Sequence, residues 1–160
     1  MFVQAQNVLV RPAALADASA LETVFKRSWL GAYAGILSQE YLDQMIARRD
    51  RAWWDERCRT PRRMIVVEVG GKAVGYAIYG PYRGDAHAPG EIYELYVLPS
   101  HQGLGFGEHL FEACRYELDM LQCDGLMVWA LADNTGACSF YERRGGLVRF
   151  KRRESVGGRR

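Results

Sequence analysis

The chain has 160 residues, 49% of them apolar and 25% charged, enough to bury one core and without the bias of a disordered or membrane-spanning chain. Its 21 basic and 19 acidic residues leave a net charge of +2, so no overall field attracts nucleic acid, and the basic stretch from Arg143 to Arg160 reads as a solvated tail. Cys58, Cys114, Cys123 and Cys138 form no C-x-x-C pair, and His87, His101 and His109 lack metal-ligand spacing. Free thiols and no metal are expected. The start MFVQAQNVLVRPA has no apolar leader segment and no run reaches membrane length, which points to the cytoplasm.

NVLVRPA alternates and then meets Pro12, which suits a strand over Val8 to Arg11. Ala20, Leu21, Val24, Phe25 and Trp29 recur at helical spacing. GAYAG then breaks the pattern, Ser38 opens a second helix through Tyr41, Leu42, Met45 and Ile46, and RAWWDERC forms a third, short helix before Pro61. RMIVVEV and GGKAVGYAIYG are two strands around a Gly-Gly-Lys turn. After the turn-rich PYRGDAHAPG, EIYELYVLP is a strand stopped by Pro99. A helix follows with Leu110, Phe111, Cys114, Leu118 and Leu121 as its buried stripe. GLMVWAL is a buried, parallel strand over Leu126 to Leu131, NTGACSFYERRGG a short helix ended at Gly145, and LVRFKRR the start of a last strand. This order predicts a mixed α/β domain whose strand, glycine loop, helix and parallel strand make one right-handed crossover.

The stretch SHQGLGFGEHLF carries Gly103, Gly105 and Gly107 directly ahead of the long helix. Each glycine in a helix costs roughly 1 kcal/mol relative to alanine, so a loop that only turns has little use for three. A helix N-terminus presents unpaired N–H groups and partial positive charge, and without side chains in the way a pyrophosphate can approach it. The dinucleotide spacing G-x-G-x-x-G fails at Glu108, and G-x-x-x-x-G-K-[ST] is absent.

What remains is Q-x-x-G-x-G at Gln102, Gly105 and Gly107, which resembles the acetyl-coenzyme A loop of the GNAT superfamily of N-acetyltransferases. ELYVLP at 94–99 looks like that family's fourth strand, and N-x-x-A-x-x-F-Y at Asn134, Ala137, Phe140 and Tyr141 looks like its fourth helix. The likeness is clearest over residues 63–148 and weaker over 8–60. It implies one GNAT domain over 1–160. The expected sheet is mixed and largely antiparallel, of about six strands, with helices on both faces and a parallel fourth and fifth strand that splay apart. It also implies acetyl-coenzyme A as co-substrate and direct transfer to a primary amine of a small molecule or peptide in a ternary complex. A non-catalytic acyl-coenzyme A binding module is the alternative.

By the same resemblance, backbone groups of Leu95, Tyr96 and Val97 hold the pantetheine arm in the gap between the splayed strands. Amides of Gln102, Gly103, Leu104, Gly105, Phe106 and Gly107 take the pyrophosphate. Asn134 bonds the arm or its phosphate end, within a cofactor motif that includes Ala137, Phe140 and Tyr141. Tyr141 protonates the leaving thiolate, or else fills the core beside Phe140. Glu91, six residues before Val97, and Glu94 are candidate bases beside a water relay, and strict alternation sends these two carboxylates to opposite faces. Cys138 has no activating histidine at an obvious spacing. Trp29, Tyr33, Tyr41 and the loop 81–90 wall the acceptor pocket, with core packing the alternative for Trp29 and Tyr41. Trp53 and Trp54 suit helix packing or a homodimer face. The seventh strand expected of the family does not follow ESVGGRR.

Overall fold

The computed structural model describes residues 7–83 and 89–153. His87, the middle of the loop 81–90 and the ESVGGRR end lie outside the described residues.

Strand β1 (Val8–Pro12) is followed by a 3-10 turn at Leu15–Asp17 and helix α1 (Ala18–Tyr33). Helix α2 (Gln39–Arg48) starts where the Ser38 hydroxyl accepts the Tyr41 N–H, and α3 (Arg51–Arg59) where Asp50 accepts from Trp53. Strands β2 (Met64–Val69) and β3 (Lys72–Pro81) form the expected hairpin about Gly70 and Gly71. Then come β4 (Gly90–Val97), a 3-10 turn at Pro99–His101, α4 (Phe106–Met120), β5 (Leu126–Val128) and α5 (Thr135–Arg143).

The sheet runs β1-β2-β3-β4-β5, antiparallel until the last pair, which is parallel. Alternation along β3 separates its two faces. Tyr76 points to α1 and α3, with its ring 5.2 Å from that of Trp54, whereas Tyr79 points to α4, where burial and the nearby Glu117 raise its hydroxyl. The core lies on both faces: Leu21, Val24, Phe25 and Trp54 on one, Leu110, Phe111, Cys114 and Leu118 on the other. All four cysteines are free, and Cys58 and Cys114 are buried.

Three expectations are corrected. Among the described residues the sheet has five strands, not six. Residues 147–153 form no strand, and Leu147, Val148 and Phe150 stay exposed. A strand needs a partner edge, and β5 offers three residues rather than the six expected over Leu126 to Leu131. Leu121 falls past the end of α4 and is exposed, so it leaves the buried stripe.

Candidate active site

The chain leaves β4 through the Pro99 turn and enters the glycine loop. Gly103 (φ 77°) and Gly105 (φ 88°) both lie in the left-handed region, with open space where a side chain would stand. Gly105 is the N-cap of α4 and no side chain caps that end, so the first-turn amides have no acceptor of their own. Gln102 donates its side-chain amide to the Val97 carbonyl at 3.1 Å, which ties the loop to the end of β4. Gly107 does a different job. A Cβ there would sit 3.1 Å from the Phe140 ring and 4.0 Å from Leu95, so bare backbone at this point lets loop, β4 and α5 converge. Glu108, in the same turn, is paired with Arg144 at 2.7 Å, and the Arg144 guanidinium lies over Phe140. Its negative charge is thereby offset beside a surface suited to an anion. Uncapped amides, two left-handed glycines and open space together fit a diphosphate.

Gly105→Val is expected to weaken coenzyme A binding about tenfold or more. Backbone strain at positive φ costs roughly 1–2 kcal/mol, and the new side chain occupies the open side of the loop. Calorimetric titration with coenzyme A checks this, and an unchanged affinity removes the loop from the cofactor site.

Strands β4 and β5 pair only at Gly90, Glu91 and Ile92, opposite Leu126, Met127 and Val128. Beyond that point β4 continues alone on this side. Leu98 donates to Val74 across β3, which makes Leu98, Tyr96 and Glu94 the residues whose main chains face β3. Leu95 and Val97 therefore turn their main chains toward the gap. The Val97 carbonyl is already taken by the Ser28 hydroxyl at 3.2 Å and by Gln102. Left for a ligand are the Val97 N–H and both main-chain groups of Leu95.

Residues 24–146 match the model of the Acetyltransferase (GNAT) family. The chain belongs to this family. It is 33% identical over 103 residues to the mycothiol acetyltransferase of Pseudarthrobacter chlorophenolicus, covering 63% of this chain and 31% of that one. Over 103 residues it is 30% identical to the L-amino acid N-acyltransferase MnaT of Escherichia coli, 63% of this chain and 57% of the relative. The chain thus spans about a third of the length of the mycothiol acetyltransferases it matches. Its fold is that of the PaiA N-acetyltransferase of Thermoplasma acidophilum, solved with coenzyme A (TM-score 0.72, 19% identity, 86% of this chain and 88% of that chain).

In this GNAT chain the expected cofactor motif on α5 begins at Asn134, whose side-chain oxygen caps the helix by accepting the Ala137 N–H at 3.2 Å. The side-chain oxygen is thus committed to the cap. Phe140 packs on Gly107, and Tyr141 packs edge-on against Phe140 and near Phe111. Burial pushes the Tyr141 hydroxyl above its usual range, with Cys114 and Tyr33 adding to the effect. Tyr33 on α1 and Tyr96 on β4 share a hydrogen bond at 3.1 Å, and burial likewise raises Tyr96. Both hydroxyls therefore stay protonated at neutral pH.

The two candidate carboxylates are not on opposite faces. Ile78 pairs with Glu94 and Tyr79 with Ile92, so Tyr93 is an extra residue in β4. This bulge resets the alternation. Glu91 stands opposite Gly80, Glu94 opposite Ile78 and Tyr96 opposite Tyr76, all on the face covered by α1 and α3. The Tyr93 ring covers Gly80, its hydroxyl donates to the Pro81 carbonyl, and Arg83 lies over it.

Both carboxylates have arginine partners that sequence reasoning missed. Glu91 is 1% exposed and is bonded by Arg83 at 2.7 Å, in the stretch where β4 still pairs with β5. Glu94, nearer the unpaired stretch, is bonded by Arg49 and by the Tyr76 hydroxyl. Trp29 packs between Phe25 and Tyr33 on one stripe of α1, and Tyr41 lies partly buried on α2. Trp53 and Trp54 stack edge-on, with Trp54 fully buried in the core. Among the described residues no group of His, Cys, Asp or Glu is arranged to hold a metal ion, and no helix is long and apolar enough to cross a membrane.

Proposed function

We propose that this protein transfers an acetyl group from acetyl-coenzyme A to a primary amine by direct attack in a ternary complex. The observation that carries the reading is the abrupt end of β4–β5 pairing at Ile92 and Val128. It leaves Leu95 and Val97 main-chain groups facing a gap, next to an uncapped helix N-terminus built on left-handed glycines. Bound acetyl-coenzyme A supplies an acetyl thioester, an electrophilic carbonyl with a thiolate leaving group.

The first-turn amides of α4 and the Gln102–Gly107 backbone hold the diphosphate. The Leu95 and Val97 amides bond the arm, and the Asn134 side-chain NH2 is the group that its cap leaves for a ligand. As the C–N bond forms and the C–S bond breaks, the amine loses one proton and the sulfur gains one. Tyr141 is the donor to sulfur. The amine's proton leaves to water or to Glu94. Glu91 is sealed and paired, which makes it the poorer base.

The relatives' names span mycothiol and L-amino acids, which favours a small-molecule amine over a protein as the acceptor. Free and partly buried thiols suit a reducing cytoplasm. The whole described chain serves as one catalytic domain.

The test is calorimetry with acetyl-coenzyme A, followed by release of free thiol in the presence of an amine panel. Binding together with amine-dependent thiol release is the expected result. Binding without any release would mark a non-catalytic acyl-coenzyme A module, and no binding removes the assignment altogether.

A further inference from the structure

The face of β4 covered by α1 and α3 carries a charge pair that the cofactor does not explain. Arg49 follows the last turn of α2 and lies among aromatic rings, 4.6 Å over Phe25, 4.5 Å over Trp53 and 5.9 Å from Trp54. Its Nη1 donates to Glu94 Oε1, and the same oxygen accepts the Tyr76 hydroxyl at 3.2 Å. Tyr76 is fully buried, and burial holds its hydroxyl protonated as a fixed donor. One oxygen of Glu94 therefore takes both bonds. Its Oε2 takes neither, and neither Nε nor Nη2 of Arg49 is used in the pair.

The pair is not sealed: the Arg49 and Glu94 side chains keep 20% and 15% of their surface exposed. Burial works against the charge on Arg49, and the adjacent Glu94 carboxylate more than offsets it. The α1 stripe beside the pair also carries Trp29, whose indole N–H is buried with no acceptor among the described residues.

Charge balance selects the ligand. A diamine would meet Arg49 as well as Glu94, and a dicarboxylate would meet Glu94 as well as Arg49, so a ligand of single sign gains at one group and loses at the other. A zwitterion with amine and carboxylate on one carbon satisfies both. Phe25 and Trp54 hold Arg49 from the core side, and the half-buried Trp53 adds an apolar wall suited to a non-polar side chain.

We propose that Glu94 and Arg49 form the acceptor subsite of this protein and that its acceptor is an α-amino acid with an apolar side chain. Glu94 Oε2 takes the amine and the free N–H groups of Arg49 take the carboxylate. The proposal rests on the transferase reading above. It makes Glu94, three residues before Val97, an acceptor-binding group beside the gap.

The test uses the purified chain saturated with coenzyme A, after a coenzyme A titration has established that the cofactor binds. L-Leucine, L-methionine and L-phenylalanine are then titrated by ligand-observed NMR, beside L-phenylalanine methyl ester, 2-phenylethylamine and 3-phenylpropionate. The expected result is at least tenfold tighter binding of one amino acid than of its singly charged analogues. Glu94→Gln should lower that affinity at least fivefold. Arg49→Gln should bind acid and ester alike, with Arg49→Lys restoring part of the preference.

Coenzyme A affinity should be the same in all three variants, which separates loss of the subsite from loss of the fold. Should Arg49→Gln not fold, Glu94→Gln carries the test, since Arg49 and Tyr76 still have an oxygen to donate to. Amino acids that bind no better than the analogues, or variants that leave their binding unchanged, overturn the subsite while the transferase reading stands. Failure of coenzyme A itself to bind overturns both.

Discussion

Tyr141→Phe should leave coenzyme A affinity unchanged and lower turnover by roughly 10² to 10⁴, the range expected for loss of a positioned acid. The ring contacts with Phe140 and Phe111 survive the substitution, so the packing of α5 on Gly107 is kept and only the hydroxyl is removed. Because burial holds that hydroxyl above its ordinary range, Tyr141 stays protonated throughout neutral and mildly alkaline pH. Its activity is lost only as pH rises past the raised value. The wild-type profile should therefore show a rising limb from deprotonation of the amine and no falling limb below about pH 10. Residual activity in the variant would draw on the nearby Tyr33–Tyr96 pair, and adding Tyr33→Phe should lower it further. Thiol release at saturating acetyl-coenzyme A, with calorimetry for affinity, makes the measurement. Equal turnover in the variant would return Tyr141 to the role of a core tyrosine.

The glycine loop was the legible part of the sequence because its requirements are local. Three glycines within five residues, a preceding strand and a following amphipathic stretch all lie within one contiguous segment. The structure still divided their labour: Gly103 and Gly105 serve the left-handed backbone, Gly107 the approach of Phe140. The helix start at Ser38 was readable for the same reason, since capping is settled within four residues.

The face of β4 under α1 and α3 depends on features with no local signature. Nothing in EIYELYV marks Tyr93 as the extra residue. The bulge is fixed from across the sheet, where Gly80 leaves room for the Tyr93 ring and the Pro81 carbonyl takes its hydroxyl. Once the bulge is missed, period-two reasoning places Glu91 and Glu94 apart although the fold puts them on one face. Arg49 was equally hidden. It stands among Arg48 and Arg51 in the sequence, and only the stacking of α1 on α3 decides that its guanidinium lies among Phe25, Trp53 and Trp54. The sixth strand failed in the opposite direction. LVRFKRR has the local pattern, but a strand exists only against an edge, and β5 supplies three residues.

The largest effect on stability is expected from Arg11→Met, on the opposite edge strand of the sheet from the glycine loop. Arg11 on β1 donates to both oxygens of Asp17 at 2.8 Å and, through Nε, to Glu68 at 3.0 Å. Asp17 is 6% exposed and also accepts the Ala14 N–H, which closes the turn that leads into α1. Burial alone would raise the Asp17 carboxyl. The bonds from Arg11 and Ala14 outweigh it and hold the carboxyl below its usual range. A carboxylate lowered on folding stabilises the protein above its unfolded value of about 3.9, and that stability is lost as pH falls through the lowered value.

Removing Arg11 leaves a buried charge with a single backbone donor, at a cost of about 3–5 kcal/mol. For a chain of this length that corresponds to a fall of roughly 6–20 °C in the thermal midpoint. The deficit should narrow as pH falls toward about 4, because without Arg11 burial raises the Asp17 carboxyl and protonation neutralises it in the variant. Adding Asp17→Asn should recover part of it at neutral pH. The effect reaches the site through α1, whose Ser28 holds the Val97 carbonyl and whose Tyr33 holds Tyr96, so a loosened start of α1 disturbs the end of β4 before it disturbs the glycine loop. Urea melts at pH 7 and pH 4 decide the matter. A loss under about 1 kcal/mol at both would mean that the Arg11 pairs contribute no more than exposed surface pairs do.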